Sequence, residues 1–268
     1  MSEQMIRTHL ENYDCTLLID LKFEKKLDKI FEAVKDAIKT VGYSADEIYI
    51  LRKRGFSKAA RRYAKFNFSS PTVVATTEIR KKNGTIETST FVNASNSFVR
   101  RNLDAVLAHE FAHIKHHISG HVFPNLRFKK RCPKEAKQFA HIFLMVIEEI
   151  LADSILPASK RNKKNKAILK ALKKENRLPH PLFLLQLKTT TKLSPEEKEE
   201  LEELIQKSIQ ALRTPSPIPF YTIEQLYQRI FEQKELKPTD LQIIEDMINL
   251  LIDKLYGIKN ACKFIINQ

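Results

Sequence analysis

The chain has 268 residues, 43% of them hydrophobic, which is enough to bury a core of domain size and excludes disorder throughout. Its formal net charge is +14, a surplus that draws in nucleic acid or other polyanions without specifying a fold. Cys15, Cys132 and Cys262 form no CxxC pair, so their spacing suggests neither a disulfide framework nor a cysteine-held zinc, and it points to a reducing, cytoplasmic setting.

The opening stretch, MSEQMIRTHLENYD, lacks the apolar core of a secretory leader. In LKFEKKLDKIFEAVKDAIKTVGY, apolar residues recur at steps of three and four and stop at Gly42, which predicts an amphipathic helix with a glycine cap. SADEIYILRKRGF reads two ways: Ser44 and Glu47 have capping-box spacing, whereas EIYIL has strand composition. SKAARRYAKFN predicts a short basic helix. Two β-branched runs then flank Asn83-Gly84, the preferred dipeptide of a two-residue hairpin.

Helical period follows in SFVRRNLDAVLAHEFAHIKHH, ending near Gly120, and again from Pro133 to Leu156, just before Pro157. The longest apolar run, Ala140 to Ile147, is too short to span a bilayer, so membrane insertion is not expected. Beyond Pro157 the chain reads as wholly helical. Ser194, Pro195 and Glu197 form a well-marked helix start, RTPSPIPF a proline-rich connector, and two later segments open on a Thr…Gln capping pattern. The expected architecture is an α+β domain over 1–157, with a small antiparallel sheet packed on helices. An all-helical region over 158–268 follows it.

LAHEFAHIKHHISGH, from Leu107 to His121, contains five of the eight histidines. His109 and His113 are four apart, so on a helix they lie about 40° apart around the axis and one turn along it. Two imidazoles so placed can bind one Zn²⁺, and Glu110 can reach water at the metal without ligating; this is the H-E-x-x-H arrangement. Leu103, Val106, Leu107 and Ile114 supply the apolar stripe of a packed helix. A third protein ligand is needed, and MVIEEILADSIL offers Glu149, with Asp153 one turn further to hold a ligating imidazole's tautomer. A carboxylate on so apolar a face is costly unless a cation compensates it. Glu148, adjacent to Glu149, is an alternative ligand.

HEFAHIKHH followed by EILAD resembles the gluzincin zinc metallopeptidases, in particular the soluble minimal ones and the catalytic cores of the membrane-embedded heat-shock and prenyl-protein proteases. The resemblance runs from about Pro71 to Pro157. It implies a zincin-like fold, one Zn²⁺ held by His109, His113 and Glu149, Glu110 as general base, Asp153 as a supporting partner, and a peptide or protein substrate. The metzincin pattern fails, because it needs Gly at 116 and His at 119, where this chain has His116 and Ser119.

A zinc protease of the SprT-like, DNA–protein crosslink class is the alternative, with His121 or His141 as a third histidine ligand. His116 is expected to face the surface or a substrate. Nucleic-acid association is suggested by Arg52 to Phe66, where Arg and Lys alternate with Phe56, Tyr63 and Phe66, and by the basic run after Ser159. A non-catalytic, zinc-containing regulator is the remaining reading, and an intact Glu110 argues against it. The strand TSTFVN is expected to hold an extended peptide by edge addition.

Overall fold

The computed structural model describes residues 4–63, 74–120, 126–128, 132–172, 178–211, 220–256 and 264–266. In chain order the elements are β1 Met5–Leu10, β2 Cys15–Asp20, α1 Leu27–Val41, β3 Glu47–Leu51, α2 Lys53–Tyr63, β4 Ala75–Lys82, β5 Thr85–Asn93, α3 Ser97–Arg101 and α4 Leu103–Ile118. These are followed by β6 Leu126–Phe128, α5 Lys134–Ser154, α6 Ala158–Leu172, α7 Pro181–Thr190, α8 Pro195–Gln210, α9 Phe220–Gln233, α10 Pro238–Tyr256 and β7 Phe264–Ile266. The architecture is α+β. The chain divides into two compact units, one of residues 1–118 with 155–171, the other of 119–154 with 172–268.

The first unit is a five-stranded sheet, ordered β1-β2-β3-β5-β4, with helices packed on it. The sheet is mixed and larger than the antiparallel one expected: β1 and β4 run antiparallel to their neighbours, while β2–β3 and β3–β5 are parallel. Parallel neighbours require a crossover, and α1 provides it between β2 and β3. EIYIL is the strand of its two readings, and Ile48 and Ile50 are fully buried in it. Asn83 and Gly84 both take positive φ, 50° and 86°, the geometry of a hairpin turn that follows the twist of its strands.

β5, which contains TSTFVN, lies between β3 and β4, so its backbone is paired on both sides and cannot accept a peptide by edge addition. β4 is an edge strand instead. The expectation failed because strand character in a sequence does not reveal lateral order.

Helix α1 buries Ile30, Val34, Ala37, Ile38 and Val41 on one face and packs against α4. Gly42 closes it in the left-handed region (φ 72°), its N–H bonded to Ile38 O at 2.7 Å. Lys115 of α4 donates from Nζ to Val41 O at 2.8 Å, placing a cation on the carbonyl end of α1. At the opposite end of α4, Lys160 and Lys163 of α6 reach the two Asp104 oxygens at 3.2 and 3.7 Å. Burial raises the Asp104 carboxyl, but the attraction of Lys160 and Lys163 outweighs it and holds the group below its ordinary value.

The second unit is mainly helical. α7 packs against α5, α8 and α9, and α5 also packs against α9 and α10. β6 and β7 pair antiparallel, so the region after residue 157 is not entirely helical. Ser194 and Glu197 form the capping box expected of them. The Thr…Gln starts do not occur: α9 begins at Phe220 and α10 at Pro238, so Thr222 and Thr239 lie within first turns. Cys132 is disulfide-bonded and Cys15 is a buried free thiol. Among the described residues no helix is long and apolar enough to cross a membrane.

Candidate metal centre

Helix α4 carries the H-E-x-x-H residues, and its expected stripe is buried: Leu103, Val106, Leu107 and Ile114 are each at most 9% exposed. His109 is buried at 5% exposure, Glu110 is buried and His113 is half-buried. The two imidazoles meet edge to face with ring centroids 4.7 Å apart, and their Nε2 atoms are 3.1 Å apart. Two nitrogens held tetrahedrally at Zn–N distances of about 2.0–2.1 Å would be separated by about 3.3 Å, so the pair is already near ligating geometry.

His109, His113 and Glu149 each offer one ligand atom, and these atoms all lie within 4.8 Å of one another. Among the described residues, this is the one group of three or more His, Cys, Asp or Glu side chains so arranged. Two nitrogens and a carboxylate oxygen are a donor set that suits zinc. Glu149 is half-buried, whereas Glu148 and His141 are exposed and neither belongs to the group. His121 lies outside the described residues.

Asp153 is fully buried and accepts a hydrogen bond from Gln186 Nε2 at 3.2 Å. His116 is buried at 8% exposure, so of its two expected placements, at the surface or towards a substrate, the first does not hold. Phe56 is likewise packed in the core with Leu51 and Phe91, which removes it from any base-stacking role. Phe66 lies outside the described residues.

Two residues of the first unit enter the site without having been anticipated. Thr77 of β4 donates from Oγ1 to Glu110 Oε2 at 2.8 Å. Its hydroxyl also lies 3.1 Å from Thr90 Oγ1, its directly opposed neighbour on β5. A hydroxyl has one hydrogen, so with Thr77's committed to the carboxylate, Thr90 donates to Thr77. The second residue is Lys164 of α6, only 4% exposed, whose Nζ lies 2.8 Å from His109 Nδ1. Strand composition hid Thr77 and a run of surface-like lysines hid Lys164; no signal in the sequence separates either from its neighbours.

Comparison with protein-family models, curated proteins and solved structures finds no match to this chain.

Proposed function

We propose that the chain is a zinc-dependent metallopeptidase of gluzincin type. The observation that carries this reading is the convergence of His109, His113 and Glu149, with the buried Glu110 on the same helix as the two histidines. His109, His113 and Glu149 would hold the ion. A bound zinc supplies Lewis acidity, acidifying water and polarising a carbonyl oxygen.

The remaining work falls to the protein's own groups. Glu110 accepts the proton of the attacking water at a carboxylate oxygen and delivers it to the leaving amine as the peptide bond breaks. Thr77 occupies Oε2 of that carboxylate, leaving Oε1 to handle the proton. Among the described residues β4, which carries Thr77, is an edge strand, and such an edge can hold an extended peptide.

The +14 charge and the exposed lysines of α6 still support nucleic-acid association, and neither selects a specific site. With Cys132 disulfide-bonded, the cysteines no longer support a cytoplasmic location. The direct test is hydrolysis of a peptide library by the zinc-loaded protein and by Glu110→Gln. The variant keeps its zinc and loses turnover by on the order of a thousandfold or more. Equal turnover in the two proteins removes Glu110 from its role.

A further inference from the structure

Three cations, Arg80, Lys81 and Lys82, stand in a row at the end of β4. Successive side chains of a strand point to opposite faces, so the middle one parts from its neighbours. Arg80 and Lys82 share a face with two glutamates and pair with them: Arg80 Nε lies 2.6 Å from Glu78 Oε1, and Lys82 Nζ lies 3.6 Å from Glu87 Oε1. Lys81 lies on the other face, with Thr77 and Ile79, and is exposed. Its directly opposed neighbour on β5 is not a carboxylate but Ile86, an apolar side chain left 43% exposed. Among the described residues no acidic group pairs with Lys81.

The face that carries Lys81 is the one that reaches the candidate site, because Thr77 donates from it to Glu110 Oε2. That bond fixes a register along the strand. Lys81 is four residues further on, about 13 Å at the rise of a β-strand. A peptide added to the outer edge of β4 advances at the same rise and alternates its side chains in the same way. The peptide side chain that lies beside Thr77 is then at Glu110. The one two positions away meets half-buried Ile79, and the one four positions away meets Lys81 and Ile86. Laterally paired residues on one sheet face are close enough for opposite charges to attract.

Resting on the metallopeptidase reading above, we propose that Lys81 is a specificity-determining residue, and that the site takes extended acidic peptides. The preferred substrate has Asp or Glu four positions from the residue beside Thr77, with an apolar side chain midway between them. Arg80 and Lys82, on the opposite face and already neutralised, take no part in this choice.

The test has two arms, both on the full-length, zinc-loaded chain. In the first, wild type, Lys81→Gln, Lys81→Glu and the control Arg80→Gln cleave a peptide library randomised over five positions on each side of the broken bond. Wild type enriches Asp and Glu about threefold or more at one position, three to five residues from that bond. Lys81→Gln loses the enrichment, Lys81→Glu exchanges it for Lys and Arg, and Arg80→Gln keeps it. Cleavage without acidic enrichment, or an enrichment that survives Lys81→Gln, overturns the proposal and leaves the metallopeptidase reading standing. The second arm needs no turnover. By fluorescence anisotropy, Glu110→Gln binds a labelled peptide of alternating Thr and Glu about threefold or more tightly than one of alternating Thr and Gln, and adding Lys81→Gln abolishes the difference. If wild type cleaves no peptide, the metallopeptidase reading fails, and this arm still decides the role of Lys81. Equal affinity for the two peptides, or a difference indifferent to Lys81→Gln, overturns the proposal.

Discussion

Thr77 Oγ1 lies 2.8 Å from Glu110 Oε2, so a side chain on a sheet edge fixes the carboxylate that adjoins the two histidines on α4. A hydrogen bond to a charged acceptor contributes about 1.5–3 kcal/mol. Thr77→Val keeps the shape and removes the donor. Its peptide turnover falls roughly tenfold to a hundredfold while zinc content stays at the wild-type level. Thr77→Ser restores most of the rate. Steady-state kinetics with parallel metal analysis checks this, and full turnover in Thr77→Val would remove the strand from catalysis.

Ser194 and Glu197 cap α8 reciprocally: Ser194 Oγ accepts from Glu197 N at 3.2 Å, and Glu197 Oε2 accepts from Ser194 N at 2.8 Å. Removing a cap of this type costs about 1 kcal/mol. Ser194→Ala shifts the urea midpoint down by an amount of that order with an unchanged slope, and a Ser194→Asp variant recovers it.

His180 caps α7, its Nδ1 accepting from Leu182 N at 3.3 Å, and its ring lies beside Phe139 with centroids 6.1 Å apart. Burial pushes its pKa down from 6.5 to about 4. The folded state therefore resists a proton that the unfolded chain takes up below pH 6.5. Stability is lost as pH falls from about 6.5 to about 4 and levels off below that, by up to roughly 2–3 kcal/mol. His180→Asn keeps a capping acceptor and has no such titration. Denaturation curves between pH 7 and pH 4 should fall less steeply for the variant, and parallel curves would assign the loss to other groups.

What the sequence made legible was whatever is written in local chemistry. Gly42, Asn83-Gly84 and the Ser194…Glu197 box each specify a backbone geometry within a few residues, and each occurs where expected. The spacing of His109 and His113 fixes their relationship as soon as the helix forms. β1 and β2 escaped notice because CTLLID is a short apolar run, which periodicity cannot assign, and β1 owes its state to pairing with it.

Lateral order in the sheet, which made β4 rather than β5 an edge, depends on a crossover that no short window contains. The inward turn of Lys164 is likewise tertiary: α6 reads as uniformly basic, and only its docking against α4 through Asp104 selects which lysine is buried.

The account depends on His109, His113 and Glu149 acting as one metal site. The most direct measurement is zinc stoichiometry and affinity for wild type and for His109→Ala, His113→Ala and Glu149→Ala, alongside Glu148→Ala and His141→Ala. The account predicts one zinc per chain, lost or weakened by at least about a hundredfold in the first three variants and unchanged in the other two. Wild-type affinity in Glu149→Ala would contradict it.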